Sequence, residues 1–197
     1  MRRRAAPRSR RETGFRAGPP PVDQRVNEAI EEMRMLTEVD LRHLRRCVEL
    51  AAEALRAGDE PFGSVLVSGD GTVLAEDRNR TGSGDPTRHP EFELARWAAA
   101  NLTPEERAAA TVYTSGEHCP MCAAAHGWVG LGRIVYAASA AQLAEWRAEF
   151  GVRPGPVRPL PIREVVRGVI VEGPVPALTD EIRELHRLRH ERARQSG

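Results

Sequence analysis

A chain of 197 residues, 41% hydrophobic and 29% charged, is long enough for one ordinary domain with tails, and no apolar run in it could span a bilayer. Its net charge of +1 hides an asymmetry, because residues 1–18 hold seven arginines against the single acid Glu12, a local +6 that leaves −5 for residues 19–197. The basic excess therefore lies outside any candidate core, which argues against a basic nucleic-acid-binding face on the fold. Taken in chain order, residues 1–34 form an Arg/Pro-rich stretch with no apolar periodicity and are expected to be a disordered extension. Residues 35–197 are expected to be one domain, with a core over 37–150 and a C-terminal extension over 151–197.

Thr37 is a suitable N-cap for a helix running to about Ala57, with Gly58 as its stop. Leu41, Leu44, Cys47, Val48, Ala51 and Leu55 give this helix one apolar face, and Cys47 reads as a core residue. Phe62 to Val67 and Thr72 to Ala75 read as strands joined by Ser68-Gly69-Asp70-Gly71, a hairpin signal. A polar loop from Asp77 to Arg88 follows. Pro90 to about Asn101 reads as a helix, Thr111 to Thr114 as a strand, Cys119 to about Val129 as a helix, Arg133 to Ala138 as a strand and Ala140 to Phe150 as a helix. This alternation points to an α/β sheet with helices on its faces. Residues 152–161 carry four prolines and form a connector, Val165 to Val171 is a candidate strand, and Leu178 to Arg194 a terminal helix.

The chemistry concentrates in two places, His89-Pro90-Glu91 and Cys119-Pro120-Met121-Cys122. His89 would stand at one helix N-terminus, with Cys119 and Cys122 in the first turn of another. Residues three apart share a helix face, so both sulfurs can reach one ion, and the helix N-terminus favours thiolates. His89, Cys119 and Cys122 make three good zinc ligands with no fourth protein ligand nearby. Structural zinc sites usually take four protein ligands, whereas catalytic sites keep a position for water. Glu91 is then free to carry protons. Alone, His89 would be a surface cap and C-x-x-C a redox pair; the two segments together, on two helix starts, favour a catalytic site. Three cysteines offer no disulfide framework, which fits a reducing cytoplasm.

With these residues in view, the chain resembles the cytidine and deoxycytidylate deaminase superfamily, in the branch with bacterial guanine deaminases and tRNA adenosine deaminases. The matching residues are Glu60-Pro61-Phe62-Gly63, Asn79-Arg80, Asp85-Pro86-Thr87-Arg88-His89-Pro90-Glu91 and Ser115-Gly116-Glu117-His118-Cys119-Pro120-Met121-Cys122, within residues 37–150. The pattern H-x-E…P-C-x-x-C is the signature of zinc nucleobase deaminases. The resemblance implies a three-layer α/β/α fold on a five-stranded mixed sheet, and a homodimer or higher oligomer with active sites near subunit interfaces. It also implies that His89, Cys119 and Cys122 bind zinc, that Glu91 shuttles protons, that Asn79 hydrogen-bonds the substrate and that Phe62 walls the ring pocket.

Three positions depart from the family. Most relatives have alanine where this chain has Pro90, and proline lacks the backbone N–H that meets a ring acceptor in some of them. His118 stands where proline is usual; it is assigned to the substrate pocket, with a solvent-facing position as the alternative. No aromatic residue follows Phe150, whereas bacterial guanine deaminases close the pocket with an aromatic-bearing C-terminal segment. The leading reading is hydrolytic deamination of a free amino-substituted base, guanine or an aminotriazine- or azacytosine-like ring, with no nucleic-acid or membrane partner. The alternatives are a tRNA adenosine deaminase, a cytidine or nucleoside deaminase, a non-enzymatic zinc module and a C-x-x-C redox protein.

Overall fold

The structure, a computed structural model, describes residues 36–195. The expected extension over 1–34 lies outside the described residues.

Helix α1 spans Glu38–Arg56, and Thr37 caps it in a reciprocal box with Asp40. Its buried stripe contains Leu44, Cys47, Val48, Ala51 and Leu55, while Leu41 is half-buried at the edge of the same cluster. Strands β1 (Gly63–Val67) and β2 (Val73–Arg78) form the expected antiparallel hairpin. Within its turn, the Gly71 N–H donates to the Ser68 carbonyl, and Gly71 takes a φ of 89° that suits glycine. β2 continues to Arg78, three residues beyond its expected end, because Gly63 pairs with Arg78.

Helix α2 (Pro90–Asn101) follows the loop, and a short helix α3 (Pro104–Ala109) follows α2. Strand β3 is Thr111–Gly116, α4 is Pro120–Val129, β4 is Arg133–Ala138 and α5 is Ala140–Glu149. Next come a four-residue helix α6 (Ile162–Val165), the two-residue strand β5 (Val171–Glu172) and the terminal helix α7 (Pro176–Gln195).

The five strands lie in the order β2-β1-β3-β4-β5. β1 is antiparallel to both β2 and β3, whereas β3, β4 and β5 are parallel. The sheet is therefore mixed. Strand alternation divides its side chains between two faces. Val65, Val67, Tyr113, Val135 and Ala137 pack with α1, α5 and α7. Leu66 and Val112 pack with α2, and Ile134 and Tyr136 pack with Ala123 and Ile162 from α4 and α6. This is the three-layer α/β/α arrangement.

Two expectations need correction. Val165 to Val171 is not one strand: Ile162–Val165 is helical, Gly168 turns the chain at φ 75°, and pairing is confined to Val171–Glu172. The intervening Val166 and Val169 pack beside Ile134 and Tyr136 as a covering loop. Helix α3 had no counterpart in the sequence reading, although Thr103 and Glu106 form a capping box around Pro104.

Candidate metal centre and active site

Both chemistry-bearing segments open helices with proline. His89 is the N-cap of α2 and Pro90 its first residue; Cys119 is the N-cap of α4 and Pro120 its first residue. Proline is well placed there, since a first-turn N–H has no intrahelical acceptor. Neither N-cap side chain makes a capping hydrogen bond, which leaves the imidazole and the thiol free to converge. α2 and α4 pack together. His89 Nδ1 lies 3.6 Å from both Cys119 Sγ and Cys122 Sγ, and the two sulfurs are 3.5 Å apart.

These separations fit zinc. Tetrahedral coordination with Zn–S near 2.3 Å and Zn–N near 2.0–2.1 Å puts ligand atoms about 3.5–3.8 Å from one another. A disulfide would bring the sulfurs to about 2 Å. Protonation points the same way. Hydrogen bonding from Cys122, opposed by burial and assisted by His89, holds the Cys119 thiol down to about 4. The neighbouring Cys119 and burial push Cys122 well above the ordinary thiol range. One thiolate forms readily and the second is opposed by the first; a divalent cation between them removes that opposition. Among the described residues, this is the one cluster of three or more candidate ligand atoms.

Glu91, at the second position of α2, is buried. Its Oε1 accepts from Thr114 Oγ1 at 2.7 Å and from Ser64 Oγ at 3.2 Å. Burial raises its pKa, while the positive charge of His89 and the Thr114 hydroxyl pull it back. A carboxyl group whose affinity for protons is raised in this way is suited to carrying one. Sequence reasoning missed Ser64 and Thr114. The available signal was a hydroxyl residue in a strand whose other side chains are apolar, since burying a hydroxyl is unfavourable unless it bonds.

The remaining sequence candidates have specific places. Asn79 is buried; its N–H donates to the Phe62 carbonyl at 2.9 Å, and its Oδ1 accepts from the Thr81 N–H at 3.0 Å and the Thr81 hydroxyl at 2.8 Å. Phe62 is half-buried with its ring over Gly116, where an added Cβ would stand 2.9 Å from the ring. On its other side, Phe62 meets His186 of α7 edge to face. The C-terminal extension thus brings an imidazole to Phe62, a contact the sequence reading did not foresee. His118 is buried, which excludes the solvent-facing alternative. Its ring stands against His126, with centroids 5.4 Å apart. Glu117 accepts backbone N–H groups from Ala140 at 2.9 Å and Ile162 at 2.8 Å, so it braces the starts of α5 and α6.

Residues 37–138 match the family described as the cytidine and deoxycytidylate deaminase zinc-binding region. Over 119 residues the chain is 31% identical to a probable cytosine deaminase of Schizosaccharomyces pombe, a segment covering 60% of this chain and 72% of that protein. Over 104 residues it is 41% identical to guanine deaminase of Bacillus subtilis, covering 52% of this chain and 66% of that protein. Its fold is similar to that of a guanine deaminase from Nitrosomonas europaea, with a TM-score of 0.60 at 23% identity over 93% of this chain and 100% of that one.

Proposed function

The chain belongs to the cytidine and deoxycytidylate deaminase family, and on that footing we propose that it hydrolytically deaminates a free amino-substituted heterocyclic base. Guanine, or an aminotriazine- or azacytosine-like ring, ranks ahead of cytidine. The observation that carries this reading is a buried carboxyl, Glu91, on the first turn of the helix that His89 opens, beside three converging ligand atoms. A purely structural zinc site has no use for such a group.

In this reading His89, Cys119 and Cys122 hold zinc, which when bound supplies the Lewis acidity that makes water a usable nucleophile near neutral pH. Glu91 accepts a proton from the attacking water and passes it to a ring nitrogen. It then takes the second proton from the hydroxyl newly added to the ring carbon and delivers it to the departing amino group, leaving a carbonyl. The exchange balances: one water is consumed, the ring carbon gains oxygen and ammonia leaves. Asn79 fits a substrate-binding role because Thr81 occupies its Oδ1 and turns Nδ2 into the available donor. Phe62 supplies an aromatic face for a flat ring. His118 acts at most through the pocket lining, as its ring faces His126.

The free-base preference is supported by the identity to a guanine and a cytosine deaminase and by the −5 charge over residues 19–197. Trp128, on the helix that begins at the metal segment, is 91% exposed and supports a homodimer built on α4. Among the described residues no helix is long and apolar enough to cross a membrane, and a cytoplasmic enzyme over residues 35–197 agrees with this. Ammonia release measured across free bases, nucleosides and a tRNA substrate tests the reading. Turnover of a free base above that of cytidine supports it; turnover of tRNA alone overturns the substrate class, and no release from any substrate overturns the enzyme.

A further inference from the structure

We propose that Ser64 and Thr114 are a positioning pair for Glu91, a hydroxyl ladder that fixes the orientation of its carboxyl group. The proposal rests on the deaminase reading above.

β1 is buried along its whole length, and Ser64 is the hydroxyl among its apolar neighbours Val65, Leu66 and Val67. Antiparallel register sets Ser64 directly against Thr114 of β3. Both side chains are fully buried. Ser64 Oγ lies 2.9 Å from Thr114 Oγ1, which lies 2.7 Å from Glu91 Oε1, and Ser64 Oγ is also 3.2 Å from that same oxygen. The short Thr114–Glu91 separation is that of a charge-assisted bond.

A hydroxyl has one proton to donate. If Ser64 donates to Thr114, Thr114 in turn donates to Oε1. If Ser64 donates to Oε1 directly, Thr114 does the same. In both arrangements Oε1 only accepts. Oε2 receives neither hydroxyl and lies outside the ladder. The two strands thus hold the group in one orientation, although a terminal carboxyl torsion is otherwise broad. A merely structural role would also satisfy the buried carboxyl, but it would not separate turnover from binding.

Thr114→Val keeps the shape and removes the hydroxyl; Thr114→Ser keeps the hydroxyl; Ser64→Ala removes the outer step. With the base that the full-length protein turns over best, Thr114→Val should lower kcat by about 10- to 100-fold, the usual effect of losing a hydrogen bond to a charged group. KM should stay within about threefold and zinc content should be unchanged, as expected for a contact used after binding. Thr114→Ser should recover most of kcat, and Ser64→Ala should lose about three- to tenfold. A Thr114→Val enzyme with near wild-type kcat, a loss confined to KM, or no rescue by serine would overturn the proposal. Should Thr114→Val fail to fold, Ser64→Ala decides the matter: a kcat loss at unchanged KM and zinc content supports the ladder, and unchanged kcat overturns it.

A thermal-unfolding cycle gives a readout that needs no activity. Thr114→Val should lower Tm by less in a Glu91→Ala background than in the wild type, because the partner is already gone. Equal losses in both would overturn the contact. If the wild-type protein releases no ammonia from any substrate, the deaminase reading and this role fail together. If it does, and Glu91→Ala abolishes release, failure of the hydroxyl variants counts against the ladder alone.

Discussion

Phe62 and His186 meet edge to face with ring centroids 5.0 Å apart, which ties the segment before β1 to the C-terminal helix. Trp146 of α5 stands near the same imidazole, at 6.3 Å between ring centroids. Burial, with the positive charge of Arg147 adding to it, pushes His186 down from its ordinary 6.5 to about 3. Between those values the unfolded chain binds a proton that the folded chain refuses, so stability rises with pH in that window. The contribution is fully present above about 6.5 and is lost as the pH falls toward 3. Its full size is on the order of a few kcal/mol. The wild-type Tm should therefore fall from pH 7 to pH 5, and His186→Gln, which cannot titrate, should fall less. Parallel curves for the two proteins would refute the assignment.

The metal prediction follows from the three converging ligand atoms. About one zinc per chain is expected, and Cys119→Ala or Cys122→Ala should lose metal and ammonia release together. Elemental analysis of the purified proteins checks this. Stoichiometric zinc retained in the double variant would end the assignment.

Glu91 lies outside the ligand set, so Glu91→Ala should retain zinc while turnover collapses. General acid–base groups typically contribute about 10²–10⁴-fold, and a group acting in several proton transfers belongs at the upper end. Turnover within about tenfold of wild type would show that another group carries the proton.

What could be read in the sequence is whatever local chemistry decides. Thr37 as a cap, the Ser68–Gly71 turn and proline at the start of α2 and α4 each act within a few residues, and each is found where expected. The His89, Cys119 and Cys122 grouping was legible because helix-terminal ligands announce themselves by spacing. Cross-strand register was not. Nothing in Ser64 or Thr114 alone says that they face each other, or that α2 lays Glu91 over both. The same holds for Asp40, which the sequence offers only as a residue of the first turn. In the fold its Oδ1 accepts from Tyr113 Oη at 2.7 Å and Arg133 Nη1 at 2.6 Å. Burial raises the pKa of Asp40, yet these bonds prevail and hold it well below the usual carboxylate range. His186 escaped notice for a different reason: its place depends on how α7 docks, and helical periodicity says which face is apolar but not what that face will meet. The run from Val165 to Val171 misled because β-branched residues favour strands, whereas here Gly168 breaks the run and the flanking valines cover Ile134 and Tyr136.

The last prediction concerns substrate choice and turns on Pro90. It is the first residue of α2, immediately after His89, and it is buried. An ordinary residue at that position would point its backbone N–H out of the helix end, since no intrahelical acceptor exists for it. Proline leaves that direction without a donor. A pyrimidine carbonyl seated there would go unpaired, at a cost of about 1–3 kcal/mol or roughly one to two orders of magnitude in preference. Guanine or an aminotriazine should therefore be turned over in preference to cytidine. Pro90→Ala restores the donor without adding bulk. It should raise kcat/KM for cytidine relative to the preferred base by about tenfold, with zinc content unchanged because His89 keeps its place at the helix start. Competition assays with paired substrates read this ratio directly. A wild-type preference for cytidine, or a ratio unmoved by Pro90→Ala, would show that the missing N–H does not govern specificity.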